Sequence, residues 1–183
     1  FSMALETHDT PRAASRFDTE PKVLAMLEFL LPSYNPCIYQ GQELGLKNPK
    51  LSDNIDDYHG VQSRQMYQRL RREGKTKAQA MRIVKKSSRD NARQPIDWAD
   101  YVLQDHNPDS VLNFYRKLIK LWREDIVIAE GALKVRKTTN KGVFDFDRVY
   151  KGKYYSVHLD FSCKTPSTLK NDLGQTIITT RPS

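Results

Sequence analysis

Apolar positions repeat at helical spacing at Val23, Leu24, Leu27, Leu30 and Leu31. Asp18 or Thr19 is placed to cap that helix, and Pro21 fits its first turn. Pro32-Ser33 and Asn35-Pro36 close it. Cys37-Ile38-Tyr39 follows as a short apolar run between Pro36 and Gly41, the form of a buried strand. With Ser2 to Glu6 as an earlier strand, the order is strand, helix, strand, a parallel βαβ arrangement. Residues 61–86 read as one or two polar helices broken near Gly74, and a polar, proline-containing loop runs on through Trp98. Asn107 and Pro108 then open the clearest helix, with Val111, Phe114, Tyr115, Leu118, Leu121 and Trp122 on its apolar side.

After Asp125 the period changes to two. Tyr155, Val157, Leu159 and Phe161 alternate with Tyr154, Ser156, His158 and Asp160. Lys151-Gly152 separates this strand from Val143 to Tyr150, which predicts a hairpin. Shorter strands are expected at 132–137, 167–170 and 176–180. The expected fold is therefore α/β over residues 1–125, followed by a small antiparallel β domain over 126–183.

Composition narrows the class. Of 183 residues 38% are hydrophobic and 28% charged, which suits a soluble globular chain. The longest apolar run, Val23 to Leu31, is interrupted by Glu28 and is too short for a bilayer, so no membrane partner is expected. Phe1 to Glu6 lacks the basic segment and long apolar stretch of a signal peptide, and the chain reads as starting within a longer protein. Cys37 and Cys163 have neither CxxC nor metal-ligand spacing; two reduced thiols in a cytoplasmic protein are expected, with no metal and no cofactor. Much of the net charge of +8 lies between Arg64 and Lys86. No helix-turn-helix, zinc or RNA-binding signature accompanies it, so it is assigned to solvation and no nucleic-acid partner is expected.

Three stretches could carry chemistry. Glu6-Thr7-His8-Asp9-Thr10-Pro11-Arg12 sits where the first strand ends, the side on which parallel α/β barrels build their sites. Alone it reads as a surface turn held by Asp9 and Pro11. Tyr39-Gln40-Gly41-Gln42-Glu43-Leu44-Gly45 follows the second strand, and alone it reads as a structural turn with a salt-bridged Glu43. In Ser88-Arg89-Asp90-Asn91-Ala92-Arg93-Gln94-Pro95-Ile96-Asp97-Trp98, two arginines can hold a carboxylate and Trp98 offers a flat face to a sugar ring. A basic loop around a buried Trp anchor explains it as readily.

Together these stretches resemble a known family. His8-Asp9-Thr10-Pro11-Arg12 with Ser15-Arg16 is similar to the HDxPRxxSR stretch of the oligo-1,6-glucosidase branch of glycoside hydrolase family 13, the α-amylase superfamily. Residues 38–45 resemble its IYQGEELG, Ile55-Asp56-Asp57-Tyr58 its IDDY, and 88–98 its SRDNARTPMQW. The helix from Pro108 resembles its DPDSVxxYYRKLIxLR. The resemblance spans residues 5–123 and implies the last two βα units of a TIM (β/α)8 barrel. Ser2 to Glu6 would be the seventh strand, Pro36 to Gln40 the eighth, Asn107 to Glu124 the last barrel helix, and the region from Ile126 the usual C-terminal β domain.

It also implies roles. Asp9 would hold ring hydroxyls and stabilise the transition state. His8 and Arg93 would bind the sugar, with Arg12 in support. The parent protein would be a retaining α-glucosidase cleaving terminal bonds, α-1,6 ahead of α-1,4 or trehalose-6-phosphate, in α-linked gluco-oligosaccharides. Its nucleophile and acid/base are expected outside this chain, which alone is expected to be inactive; Glu6, Glu43, Asp90 and Asp97 match neither. The alternative is a non-catalytic remnant that binds sugar or a partner chain. A quarter of a barrel exposes strand edges, so the missing N-terminal segment, as a separate chain or part of a longer one, or a homo-oligomer is expected to cover them. Two departures stand out: Thr7 replaces the family's Asn, and the stretch between Trp98 and Asn107 is short.

Overall fold

The computed structural model describes residues 2–32 and 35–181. Ser33, part of the expected helix-closing signal, lies outside them. Strand β1 (Ser2–Met3) pairs in parallel with β2 (Asn35–Pro36), Ser2 opposite Asn35 and Met3 opposite Pro36. The expected βαβ order is present, but both strands are shorter than their apolar runs. Only one further ladder bond forms, from Cys37 N–H to the Met3 carbonyl at 2.8 Å. Cys37 and Ile38 are exposed rather than buried.

A helix the sequence did not announce, α1 (Ala13–Phe17), follows the first candidate stretch. Its five residues are too few to show a period. Asp18 ends it in the left-handed conformation with φ 50°, so it cannot cap the next helix. That helix, α2 (Pro21–Leu30), starts after Glu20, with no side-chain cap and Pro21 at its first position. Seven of its ten residues are buried.

α3 (Val61–Arg72) and α4 (Lys77–Ser87) flank the expected break, where Gly74 takes φ 83°. Thr76 and Gln79 form a reciprocal capping box at the start of α4. The pair closes over its own small core of Tyr58, Leu70, Ala80, Met81 and Val84.

The expected loop ends at Trp98, and the stretch from there to Asn107, for which the sequence predicted no element, is helix α5 (Trp98–His106), capped by Asp97, which accepts from Ala99 N and Asp100 N. None of its residues is buried, so it has no apolar stripe to reveal it. The long helix α6 (Val111–Glu124) starts three residues later than Pro108, capped by Ser110. Asp125 then caps a further helix, α7 (Ile126–Glu130), where the sequence suggested only strands.

The C-terminal strands β3 (Ala132–Val135), β4 (Val143–Tyr150), β5 (Lys153–Asp160), β6 (Thr168–Asn171) and β7 (Thr176–Thr179) form one antiparallel sheet in sequential order. The β4–β5 hairpin turns at Lys151-Gly152 as expected, both at positive φ. The inner face of the sheet carries Phe146, Val157, Leu159, Leu169 and Ile178 against Val23, Met26, Phe29 and Leu30 of α2 and Phe114, Tyr115 and Leu118 of α6. The expected division at 125/126 falls at the Asp125 cap, while the apolar core runs across it. Arg148 of β4, 1% exposed, donates to the carbonyls of Leu30 and Gly131 at 2.7 and 2.9 Å, closing the C-terminal end of α2. No described helix is long and apolar enough to cross a membrane.

Candidate active site

The chain leaves β1 into a turn knotted by two threonines. Thr7 N–H donates to Thr10 Oγ1, and Asp9 N–H donates to Thr7 Oγ1 at 3.2 Å. Thr7, where the resemblance had an Asn, thus holds the backbone of Asp9 directly. The turn carries His8 and Asp9 into solvent, their side chains 66% and 41% exposed.

Across from it, Ser88 Oγ accepts from Asp90 N–H and starts a short 3-10 turn, Arg89–Asn91. Asn91 donates to the carbonyls of Lys85 and Ser88, and Arg93 N–H closes back on the Arg89 carbonyl. That turn puts Arg89 and Arg93 on one side, forked around Asp9. Arg89 Nε lies 2.9 Å from Asp9 Oδ1, Arg93 Nη2 3.2 Å from it, and His8 Nε2 3.2 Å from it. Arg93 Nε also donates to the His8 carbonyl at 3.1 Å. All three cationic or basic contacts fall on Oδ1. Among the described residues no hydrogen bond reaches Oδ2.

Arg12 is not on that surface. It is 1% exposed, and its guanidinium forms the joint beneath the site. Nη1 donates to Glu6 Oε2 at 2.9 Å and to the Gln40 carbonyl at 2.8 Å, and Nη2 donates to the Ala92 carbonyl at 2.9 Å. Glu6 Oε1 accepts from Ala13 N–H, and the guanidinium lies over the Tyr39 ring. One planar cation therefore binds the exits of β1 and β2 to the arginine loop, a task its fork of donors fits and an ammonium does not. Gly41 is needed here: it has φ 90°, and a Cβ would come within 2.5 Å of Leu46 Cδ1 and 3.2 Å of Arg12 Nη2.

Glu43 is not salt-bridged as the sequence suggested; it accepts from Gly41 N–H at 2.9 Å and keeps the turn tight. Trp98 is 69% exposed, not a buried anchor, and meets Tyr101 edge-on.

Two clefts flank Arg93. One, about 300 Å³, is lined by His59, Gln62, Ser87 and Arg89 among others, and the second, about 480 Å³, by Lys50, Ser52, Asp57, His59 and Gln94. Both fall near the lower end of ordinary ligand-site volumes. His59 lines both and was not nominated from sequence, although it directly follows the Ile55–Tyr58 motif. Arg89, one of the two loop arginines read as able to hold a carboxylate, joins Arg93 on Asp9 although only Arg93 was named as a sugar ligand. Among the described residues no three His, Cys, Asp or Glu side chains converge as a metal would require.

The chain as a whole is similar to known proteins. The family described as "Alpha amylase, catalytic domain" matches residues 1–131. An oligo-1,6-glucosidase of Parageobacillus thermoglucosidasius is 28% identical over 90% of this chain and 34% of its own length. A trehalose-6-phosphate hydrolase of Bacillus subtilis is 29% identical over 77% of this chain and 30% of its own. The crystal structure of the trehalose-6-phosphate hydrolase of Bacillus licheniformis superposes with a TM-score of 0.79 at 28% identity, covering 87% of this chain and 34% of that one. The chain thus spans about a third of the length of the relatives it matches. Its two parallel strands, their helices and the antiparallel sheet correspond to the last two βα units of a (β/α)8 barrel and the β domain behind it, and the chain belongs to the α-amylase catalytic-domain family.

Proposed function

We propose that the protein carrying this segment hydrolyses terminal α-glucosidic bonds in short gluco-oligosaccharides, α-1,6 linkages first. The observation that carries the reading is the carboxylate of Asp9, gripped through Oδ1 by Arg89, Arg93 and His8 with Oδ2 open, at the exit of a parallel strand. A glucosyl unit placed there would donate ring hydroxyls to Oδ2 and accept from His8 and Arg93. As the bond to the leaving group lengthens, positive charge develops on the sugar, and a fixed carboxylate stabilises it without reorganising. Arg89 and Arg93 fix the carboxylate's orientation; Arg12 acts from below by holding the three segments together.

Cleavage with retention needs a nucleophile and an acid/base about 5 Å apart. Glu6 and Glu43, which follow the two parallel strands, are committed to Arg12, Ala13 and Gly41, and the reading assigns both roles to residues outside this chain. The same observation favours a second reading, a sugar-binding segment without turnover.

The test is glucose release from isomaltose, maltose and trehalose-6-phosphate by the full-length protein and its Asp9→Ala variant. Turnover of isomaltose by the wild type and a loss on the order of 10³-fold in the variant are expected. Turnover by the variant within a few-fold of wild type removes Asp9 from the chemistry. Binding of isomaltose without any glucose release favours the second reading.

A further inference from the structure

Glu28 of α2 is a carboxyl in the interior of the molecule, 0% exposed, and the site as described does not use it. Its Oε2 accepts from Gln42 Nε2, and its carboxyl faces the Leu5 backbone, which favours its charged form. Oε1 has no partner among the described residues. Gln42 spends the rest of its amide locally: Nε2 donates to Tyr115 Oη of α6 at 3.0 Å, and Oε1 accepts from Tyr39 N–H. Leu5 precedes Glu6, which holds Arg12, and Tyr39 precedes Gln40, whose carbonyl Arg12 also binds. Glu28 therefore reaches the β2 exit through Gln42 and faces the β1 exit at the Leu5 backbone, the two exits from which the Asp9 site is built.

The surroundings are short of positive charge. The β1 exit presents Leu5 N–H and the carboxylate of Glu6, the β2 exit Gln42, and α6 Tyr115. Glu43 adds a further carboxyl near Tyr115. The nearest described cation, Arg12, is occupied by Glu6.

We propose that Glu28 is a positioning residue of the site: a neutral carboxyl strut that, through Leu5 and Gln42, keeps the two strand exits in register, and whose ionisation releases them. Burial raises its pKa to about 7, with Glu6 adding to the rise against the hydrogen bonds from Gln42 and Leu5. Ionised, it becomes a second buried negative charge beside Glu6. The strain falls on the Glu6–Arg12 pair, and Arg12 is what ties Ala92, and with it Arg89 and Arg93, to Asp9. The proposal rests on the glucosidase reading for its activity readout only.

The test uses the full-length protein, wild type and E28Q, with kcat/KM on p-nitrophenyl α-glucoside and Tm both followed from about pH 5 to 9. E28Q keeps the shape and the hydrogen bonds but cannot ionise. The wild type is expected to lose kcat/KM as pH rises through about 7, and E28Q to carry that limb at least about one unit higher. Tm should follow in parallel. A raised pKa in the folded state contributes stability that is whole below the ordinary carboxyl range and drains away as pH rises through about 7. Wild-type Tm should therefore fall over that interval relative to E28Q. An E28Q alkaline limb and Tm profile that superpose on wild type overturn the proposal. If E28Q does not fold, the infrared carbonyl band of a protonated carboxyl in the wild type decides: present at pH 6 and titrating near 7 supports it, absent at pH 6 overturns it. Tm profiles that separate in a protein with no turnover would defeat the glucosidase reading while leaving Glu28 in place.

Discussion

Arg12 and Glu6 form a charge pair with almost no access to water, 1% and 4% exposed. Removing one member of such a pair strands the other. Glu6→Gln leaves a buried guanidinium without its counter-charge and should cost about 3–5 kcal/mol. The expected outcome is a lower Tm for the full-length protein, together with weaker sugar binding because the arginine loop loses its anchor at Ala92. An unchanged Tm would mean that the pair does not carry the joint. The resemblance grouped His8, Asp9 and Arg93, and the fold does bring His8 and Arg93 together on Asp9 Oδ1. The depth of Arg12 could not be read from the chain. A string of letters gives the same symbol to a guanidinium in solvent and to one beneath a site, and only the fold brings Gln40 and Ala92, 28 and 80 residues away in the chain, onto one fork.

Elements with a buried stripe, α2 and α6 above all, were legible within a few residues, and so was the β4–β5 hairpin with its two-residue turn. Those that bury nothing or are very short were not. α5 has no buried residue, and α1 and α7 have five residues each. α5 and α7 are set by the capping groups Asp97 and Asp125, whose letters also suit loops. The β5–β6 connection shows how much one such group can hold. Asp160 accepts from the backbone and hydroxyl of both Ser162 and Thr165, and these bonds press its carboxyl well below the usual carboxylate range. A depressed folded-state pKa gives stability that is present above the ordinary carboxylate range and is lost as pH falls through the lowered value. Asp160→Ala should therefore destabilise the sheet at neutral pH by about 1–3 kcal/mol, with a penalty that shrinks on acidification. Thermal melts of wild type and variant at neutral and acidic pH would show it. Curves separated by the same interval at every pH would exclude the carboxylate as the cause.

On the scale of the whole molecule the sheet and the last barrel helices share one interior. Phe29, Tyr115 and Leu118 are 5% exposed or less because β4 to β7 lie against their helices. Full burial of a large apolar side chain is worth about 1.5–3 kcal/mol, so several together exceed the net stability margin of many domains. A full-length protein shortened to end at Asp125 is expected to lose soluble monomer and to bind a hydrophobic dye. A monodisperse shortened protein that excludes the dye would show that the sheet is dispensable. The positive charge lies elsewhere. Residues 61–86 hold nine Lys or Arg and one Glu, an excess equal to the +8 of the whole chain.

The two ends of that basic hairpin meet. Ser63 and Ser88 touch hydroxyl to hydroxyl at 2.9 Å, so the chain returns almost to the point it left, with a small core enclosed on the way. To the remainder of the molecule such an excursion resembles a bracelet, its clasp at Ser63 and Ser88 and further ties from Asn91 to the Lys85 carbonyl and from Lys85 to Asp53. Its far end at Gly74 stands in open space, whereas the clasp does not stand apart: the Ser88 hydroxyl also starts the turn that carries Arg89 to Asp9. A label tied near Gly74 should therefore travel with the molecule and leave Asp9 undisturbed, while one at the clasp should be felt there.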